Sequence, residues 1–177
     1  MGGIGVFMSV LRRKAVKLAD DVVKLVMALL LARGWRLATA ESCTGGLIAH
    51  WLTAVPGSST VYAGGAVAYA NEAKTALLGV PAALIAQHGA VSAPVAEAMA
   101  TGALERLGAD VAVSTTGVAG PSGGMPGKPV GLVYIGLALR QGGCHSQVCH
   151  FDGSRREVQI AAGQAALEMI QSEFGQE

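Results

Sequence analysis

Helical and strand-like spacings of apolar residues alternate along this chain. Apolar positions recur at helical spacing from Ala15 to Arg33, with Val22 to Ala32 as the buried face of a first helix and Gly34 as its stop. The short apolar run from Arg36 to Ala40 reads as a strand, and Gly45 to Val55 as a helix halted by Pro56-Gly57. Thr60 to Ala70 alternates and is rich in β-branched and aromatic residues, so it predicts a strand, with Gly64-Gly65 as the place for a bulge. Short helices follow over Glu72 to Leu78 and from Pro81 through Gln87. Ser92 reads as the N-cap of a helix over Ala93 to Leu107, with Glu97 as an early acid and Gly108 as the stop. Strands are expected over Asp110 to Thr115, Val130 to Leu139 and His145 to Phe151, and Ser154 caps a last helix reaching Phe174. This order predicts an α/β fold, a single three-layer α/β/α domain over residues 15–177. The hairpin-like last two strands make the β-sheet mixed. Residues 1–14 read as an N-terminal extension, and Met8 is an alternative start.

Composition narrows the setting. The 177 residues are 51% hydrophobic and 14% charged, which excludes a disordered chain and fits one domain. The net charge of +1 comes with no long basic run, so no nucleic-acid partner is expected. Cys43, Cys144 and Cys149 form no CxxC pair and are odd in number, which points to a reducing cytoplasm rather than a disulfide framework. His50, His88, His145 and His150 show no metal-ligand spacing, so neither metal nor cofactor is expected. The apolar start, Met1 to Val10, is followed rather than preceded by Arg12, Arg13 and Lys14. It therefore reads neither as a secretory signal nor as a membrane span.

The chemistry concentrates where Ala38-Thr39-Ala40-Glu41-Ser42-Cys43-Thr44-Gly45-Gly46 passes from strand to helix. Backbone N–H groups at a helix entrance lack intrahelical partners and attract negative charge, and two glycines let a ligand approach. Tyr69-Ala70-Asn71-Glu72-Ala73-Lys74 offers that serine a lysine and a phenol. The pattern suits a serine hydrolase, but the short turn alone favours an ordinary N-cap with packing glycines; Cys43 is a rival nucleophile or, more in keeping with its type, a small buried residue at the helix start. Three glycine-bearing loops follow apolar strands, at 41–46, 117–129 and 152–154, where open α/β sheets bind ligands. Gly120-Pro121-Ser122-Gly123-Gly124 resembles a backbone cradle for an anion, yet matches neither GxxxxGK[ST] nor GxGxxG. Arg155, at the start of the last helix, is either a phosphate clamp or part of a solvated face.

Seven short motifs occur in order: Ala40 to Gly46, Pro56-Gly57-Ser58-Ser59, Tyr69 to Lys74, Leu78-Gly79-Val80, His88 to Ser92, Thr116 to Pro121, and Lys128 to Gly131. The set closely resembles the CinA C-terminal domain family, the nicotinamide mononucleotide deamidases, over about Ala15 to Phe174. The resemblance implies an amidohydrolase that converts nicotinamide mononucleotide and water to nicotinic acid mononucleotide and ammonia. It implies a Ser/Lys arrangement with Ser42 as nucleophile, Lys74 as base and Tyr69 beside them, relaying a proton or holding the lysine. Ser59 is the rival serine. Residues expected against the substrate are Glu41, Thr44, Gly45, Gly46, Ser59, Thr116, Gly117, Ala119, Gly120 and Arg155, with backbone amides of Thr44 to Gly46 holding the oxyanion. A homodimer is implied as well. A molybdopterin-binding-like domain, present in some members, does not fit in this length. Two positions depart from the family pattern: Ser122 and Ser154 stand where an acidic residue is usual. Two other readings stay open, a non-catalytic binding module linked to competence and DNA damage, and a hydrolase of another small carboxamide.

Overall fold

A computed structural model describes residues 21–175. The proposed N-terminal extension and alternative start lie outside them. The elements are helix α1 (21–33), strand β1 (Leu37–Glu41), α2 (Leu47–Thr53), β2 (Tyr62–Val67), α3 (Asn71–Leu78), α4 (Ala82–His88), α5 (Ala93–Arg106), β3 (Val111–Gly117), β4 (Leu132–Leu139), β5 (Gly143–His150) and α6 (Arg155–Phe174). One five-stranded sheet runs in the order β2-β1-β3-β4-β5. β1 pairs in parallel with β2 and β3, whereas β3–β4 and β4–β5 are antiparallel. The sheet is therefore mixed, and the fold is the three-layer α/β class expected.

The two faces of the sheet are packed differently. Large side chains, Leu37, Val111, Val113, Val133, Ile135 and Leu137, meet α1, α2 and α6. The apolar face read from 22–32 is realised there by Val22, Val23, Val26 and Leu30. On the other face Ala38, Ala40 and Ala112 meet α3, α4 and α5. Small residues let α5 lie close to the sheet: Ser114 Oγ donates to the Ala96 carbonyl at 2.6 Å, and a Cβ on Gly136 would strike that same carbonyl.

Most departures from the expected elements have a local cause. Gly45 and Gly46, assigned to α2, instead take φ of 65° and 93° and make the turn into it. The glycines serve the backbone turn. The expected bulge sits beside Gly64: Leu37 pairs with Tyr62 but Ala38 pairs with Gly64, leaving Ala63 as the extra residue. A short 3₁₀ turn, Ser58–Thr60, precedes β2. Ser92 stands at the start of α5, but its hydroxyl turns back and donates to the Gly89 carbonyl. Glu97 lies beyond the first turn and accepts from Ser146 Oγ on β5 at 2.6 Å. Ser154 begins α6 as expected, with Glu157 accepting from its N–H and Oγ at 2.8 and 2.7 Å. Among the described residues, no helix is long and apolar enough to cross a membrane.

Candidate active site

The chain runs from β1 outward to β2 at the sheet edge, then crosses back past β1 to β3. Ligand sites of open α/β sheets form at such a reversal, beyond the carboxyl ends of the strands. A cleft of about 230 Å³ opens there. It is lined by Ser42 after β1, Tyr69, Asn71 and Lys74 around the start of α3, and Thr116, Gly117 and Ala119 at the end of β3. Cys43, Ala90, Val91 and Arg155 complete the lining.

Ser42 and Lys74 meet inside it. Ser42 is 8% exposed and Lys74 only 2%. β2 ends at Val67, and the chain turns through Ala68–Ala70 into α3, which carries Lys74 back beneath the end of β1. Lys74 Nζ lies 3.1 Å from Ser42 Oγ, 3.0 Å from the Ala68 carbonyl and 3.2 Å from the Tyr69 carbonyl. Three acceptors match the three N–H bonds of an ammonium. A neutral amine has two N–H bonds for the carbonyls and a lone pair left for the serine proton. Burial holds the lysine below its ordinary pKa, against the opposing influence of Cys43 and Glu72. Desolvation alone lowers it.

Cys43 faces the opposite way chemically. Burial is the main cause that pushes its thiol up to about 11, so near neutral pH it is protonated and a poor nucleophile.

Glu41 is a structural group rather than a substrate contact. Its carboxylate accepts from the Gly46, Ile48 and Ala49 amides at 2.9, 3.2 and 2.9 Å, and from Thr44 Oγ1 at 2.7 Å. Thr44 Oγ1 also meets Thr115 Oγ1 at 2.8 Å. The helix entrance is thus already satisfied from inside the fold, and the Thr44 side chain and the amides of Gly45 and Gly46 are taken up by the turn itself. Gly45 N–H donates to the Ser42 carbonyl at 3.2 Å. The expected amide donors therefore shift by one or two residues. Among the described residues, no oxygen acceptor is paired with the amides of Cys43 and Thr44, directly after the serine.

Tyr69 and Arg155 close one side. The Arg155 guanidinium donates to the Gly120 carbonyl at 2.9 Å and to the Tyr69 hydroxyl at 2.7 Å. The Tyr69 phenol therefore partners Arg155, and this residue reaches Lys74 through its backbone carbonyl. Gly120 is buried behind the cleft, and residues 121–124 face solvent, so the expected anion cradle does not line the site. Ser122 is exposed in that loop. Thr116 Oγ1 donates to the Ala90 carbonyl and fixes the wall. Ser59 lies at the other end of β2, roughly 20 Å away at about 3.3 Å per residue, and takes no part in this cleft. Asn71, Ala90 and Val91 fall inside motifs quoted above, yet nothing in their residue types marks them as lining. Among the described residues, no group of three His, Cys, Asp or Glu side chains is placed to hold a metal ion.

Comparisons with known proteins give the family. The CinA C-terminal domain model matches residues 19–174. A CinA-like protein of Mycolicibacterium gilvum is 52% identical over 153 residues, covering 86% of this chain and 35% of that protein. One from Citrifermentans bemidjiense is 54% identical over 145 residues, covering 81% and 35%. The chain thus spans about a third of the length of the curated relatives it matches. Among solved structures, a CinA superfamily protein of Klebsiella pneumoniae superposes with a TM-score of 0.86 at 37% identity, covering 90% of this chain and 99% of its own. The competence/damage inducible protein CihA of Agrobacterium tumefaciens gives 0.85 at 41%, covering 88% and 94%. Fold and sequence agree with one assignment: this chain belongs to the CinA C-terminal domain family.

Proposed function

We propose that this chain is an amidohydrolase that converts nicotinamide mononucleotide and water to nicotinic acid mononucleotide and ammonia. One observation carries the reading: a buried lysine amine 3.1 Å from a nearly buried serine hydroxyl, its other bonds spent on backbone carbonyls. That is the geometry of an activated nucleophile and its base. Ser42 Oγ gives its proton to neutral Lys74 and attacks the carboxamide carbon. The amides of Cys43 and Thr44 hold the resulting oxyanion. The C–N bond then breaks while Lys74 returns the proton to the departing nitrogen, releasing ammonia and leaving an ester on Ser42. Water, deprotonated by the same amine, attacks the ester; the C–O bond to Ser42 breaks, Lys74 returns that proton to Ser42 Oγ, and the carboxylic acid leaves and gives its own proton to water or ammonia.

A cleft of about 230 Å³ is small for a whole nucleotide, since ligand pockets usually run from about 300 Å³ upward. The pyridine carboxamide occupies it in this reading, and the ribose phosphate lies at the mouth beside Arg155. Ammonia release from nicotinamide mononucleotide, run beside nicotinamide and nicotinamide riboside, tests the assignment; activity only on the phosphate-free compounds would overturn it.

Arg155→Ala is expected to raise KM for the nucleotide about 10- to 100-fold, matching the roughly 1.5–3 kcal/mol of a charged hydrogen bond. The value of kcat should change little, because the phosphate contact is the same in ground and transition states. Any turnover of nicotinamide riboside should be nearly unaffected. Equal losses on both substrates would show instead that Arg155 acts by tying Tyr69 to Gly120.

A further inference from the structure

Gln159 stands one helical turn after Arg155 on α6, so the two side chains share a face of that helix. Its Nε2 donates to the Cys43 carbonyl at 3.0 Å. This bond lies directly behind the nucleophile turn. The only cis peptide among the described residues joins Gly120 and Pro121, so the Cys43–Thr44 peptide is trans and its N–H points away from its C=O. A donor fixed on the Cys43 carbonyl therefore fixes where the Thr44 N–H points. The preceding peptide is held in the same manner, because the Ser42 carbonyl accepts from Gly45 N–H and so aims the Cys43 N–H the other way. Both carbonyls are occupied and both amides lack an oxygen partner. Two adjacent peptides, directly after Ser42 in the chain, are thus pinned through their carbonyls.

We propose that Gln159 is a positioning residue: by holding the Cys43 carbonyl it aims and polarises the backbone donors that receive the substrate's developing oxyanion. The inference rests on the reading of Ser42 as nucleophile. Gln159 acts through the Cys43 carbonyl. It acts on a charge that exists only in the transition state, so its loss falls on kcat and leaves KM in place. Hydrogen bonds in a chain strengthen one another, which adds polarisation of the Thr44 N–H to its orientation.

The test compares Gln159→Leu and Gln159→Glu on nicotinamide mononucleotide across pH. Deleting an oxyanion donor outright costs about 10²–10³ in kcat, and loosening one is expected to cost about tenfold or more. Gln159→Leu should therefore lower kcat by at least about tenfold with KM within about twofold. Gln159→Glu keeps the shape but, when ionised, sets a carboxylate against the Cys43 carbonyl. Its kcat relative to the unsubstituted chain should fall at high pH and recover as the pH drops and the carboxyl becomes a donor again. A role confined to packing would not invert the pH dependence in this manner. Unchanged kcat in Gln159→Leu, or a constant ratio across pH in Gln159→Glu, overturns the proposal. Ser42→Ala separates the two ideas. If that chain also turns over the substrate, the serine reading falls and this inference with it. If it is inactive while Gln159→Leu keeps normal kcat, only this inference falls.

Discussion

Ser42→Ala and Lys74→Ala are each expected to lower kcat on nicotinamide mononucleotide by at least about a thousandfold, with substrate still bound. The double variant should be hardly worse than either single, since a nucleophile without its base, or a base without its nucleophile, is already out of use. Lys74→Arg should fail as well: a guanidinium stays protonated and cannot take the serine proton. The pH dependence has a definite sign. Burial lowers the Lys74 pKa, and the neutral amine is the working form, so kcat/KM rises with pH through an ionisation below the ordinary lysine range. It is lost on the acid side of that ionisation as the amine takes up a proton. Near-normal turnover in either single variant, or an inflection at the ordinary lysine pKa, would remove the dyad from the mechanism. Ser59→Ala is the matched control, and full activity is expected of it because Ser59 lies at the far edge of the sheet.

The second large effect is on stability. Glu41→Ala is expected to cost about 3–5 kcal/mol of folding free energy, because it strips the acceptor from three amides and the Thr44 hydroxyl in a site only 1% exposed. For a domain of this size that corresponds to a fall in Tm of roughly 6–20 °C. Glu41→Gln should lie between, since one amide oxygen remains while its nitrogen faces N–H groups. Thermal or urea unfolding checks both. A loss below about 1 kcal/mol in Glu41→Ala would mean that water replaces the carboxylate at the helix entrance, and that the turn is held by Thr115 and Gln159 instead.

Fold and site were legible to different depths. Strand positions were close because the strands alternate or run fully apolar between glycine and proline stops; Arg36 to Ala40 against an observed Leu37–Glu41 is a shift of one residue. Ser42, Tyr69, Lys74, Thr116, Gly117, Ala119 and Arg155 could be named together because the ordered motifs resemble one family and its implied site residues fall on them; the structure brings these seven to one cleft. Direction was not legible. A carboxylate at the end of β1 can face a ligand or its own chain, and Glu41 turns inward because α2 starts directly above it. The choice between Ser42 and Ser59 needed the parallel pairing of β1 with β2, which puts the residues before β2 and after β1 at opposite edges. Gln159 left no local trace, because its partner is a backbone carbonyl 116 residues away.

That separation along the chain is also a separation in time. Ser42 and Lys74 are synthesised before α6, whose first residue is Arg155, some 80 positions after the lysine. At translation rates of about 5–20 residues per second, the delay is roughly 4–16 seconds. Through that interval the nascent chain holds its serine and lysine but lacks the arginine at the mouth of the cleft and the glutamine behind the turn. Completion of the cleft thus waits on the last helix, and a partly made chain presents no finished site to the metabolites around it.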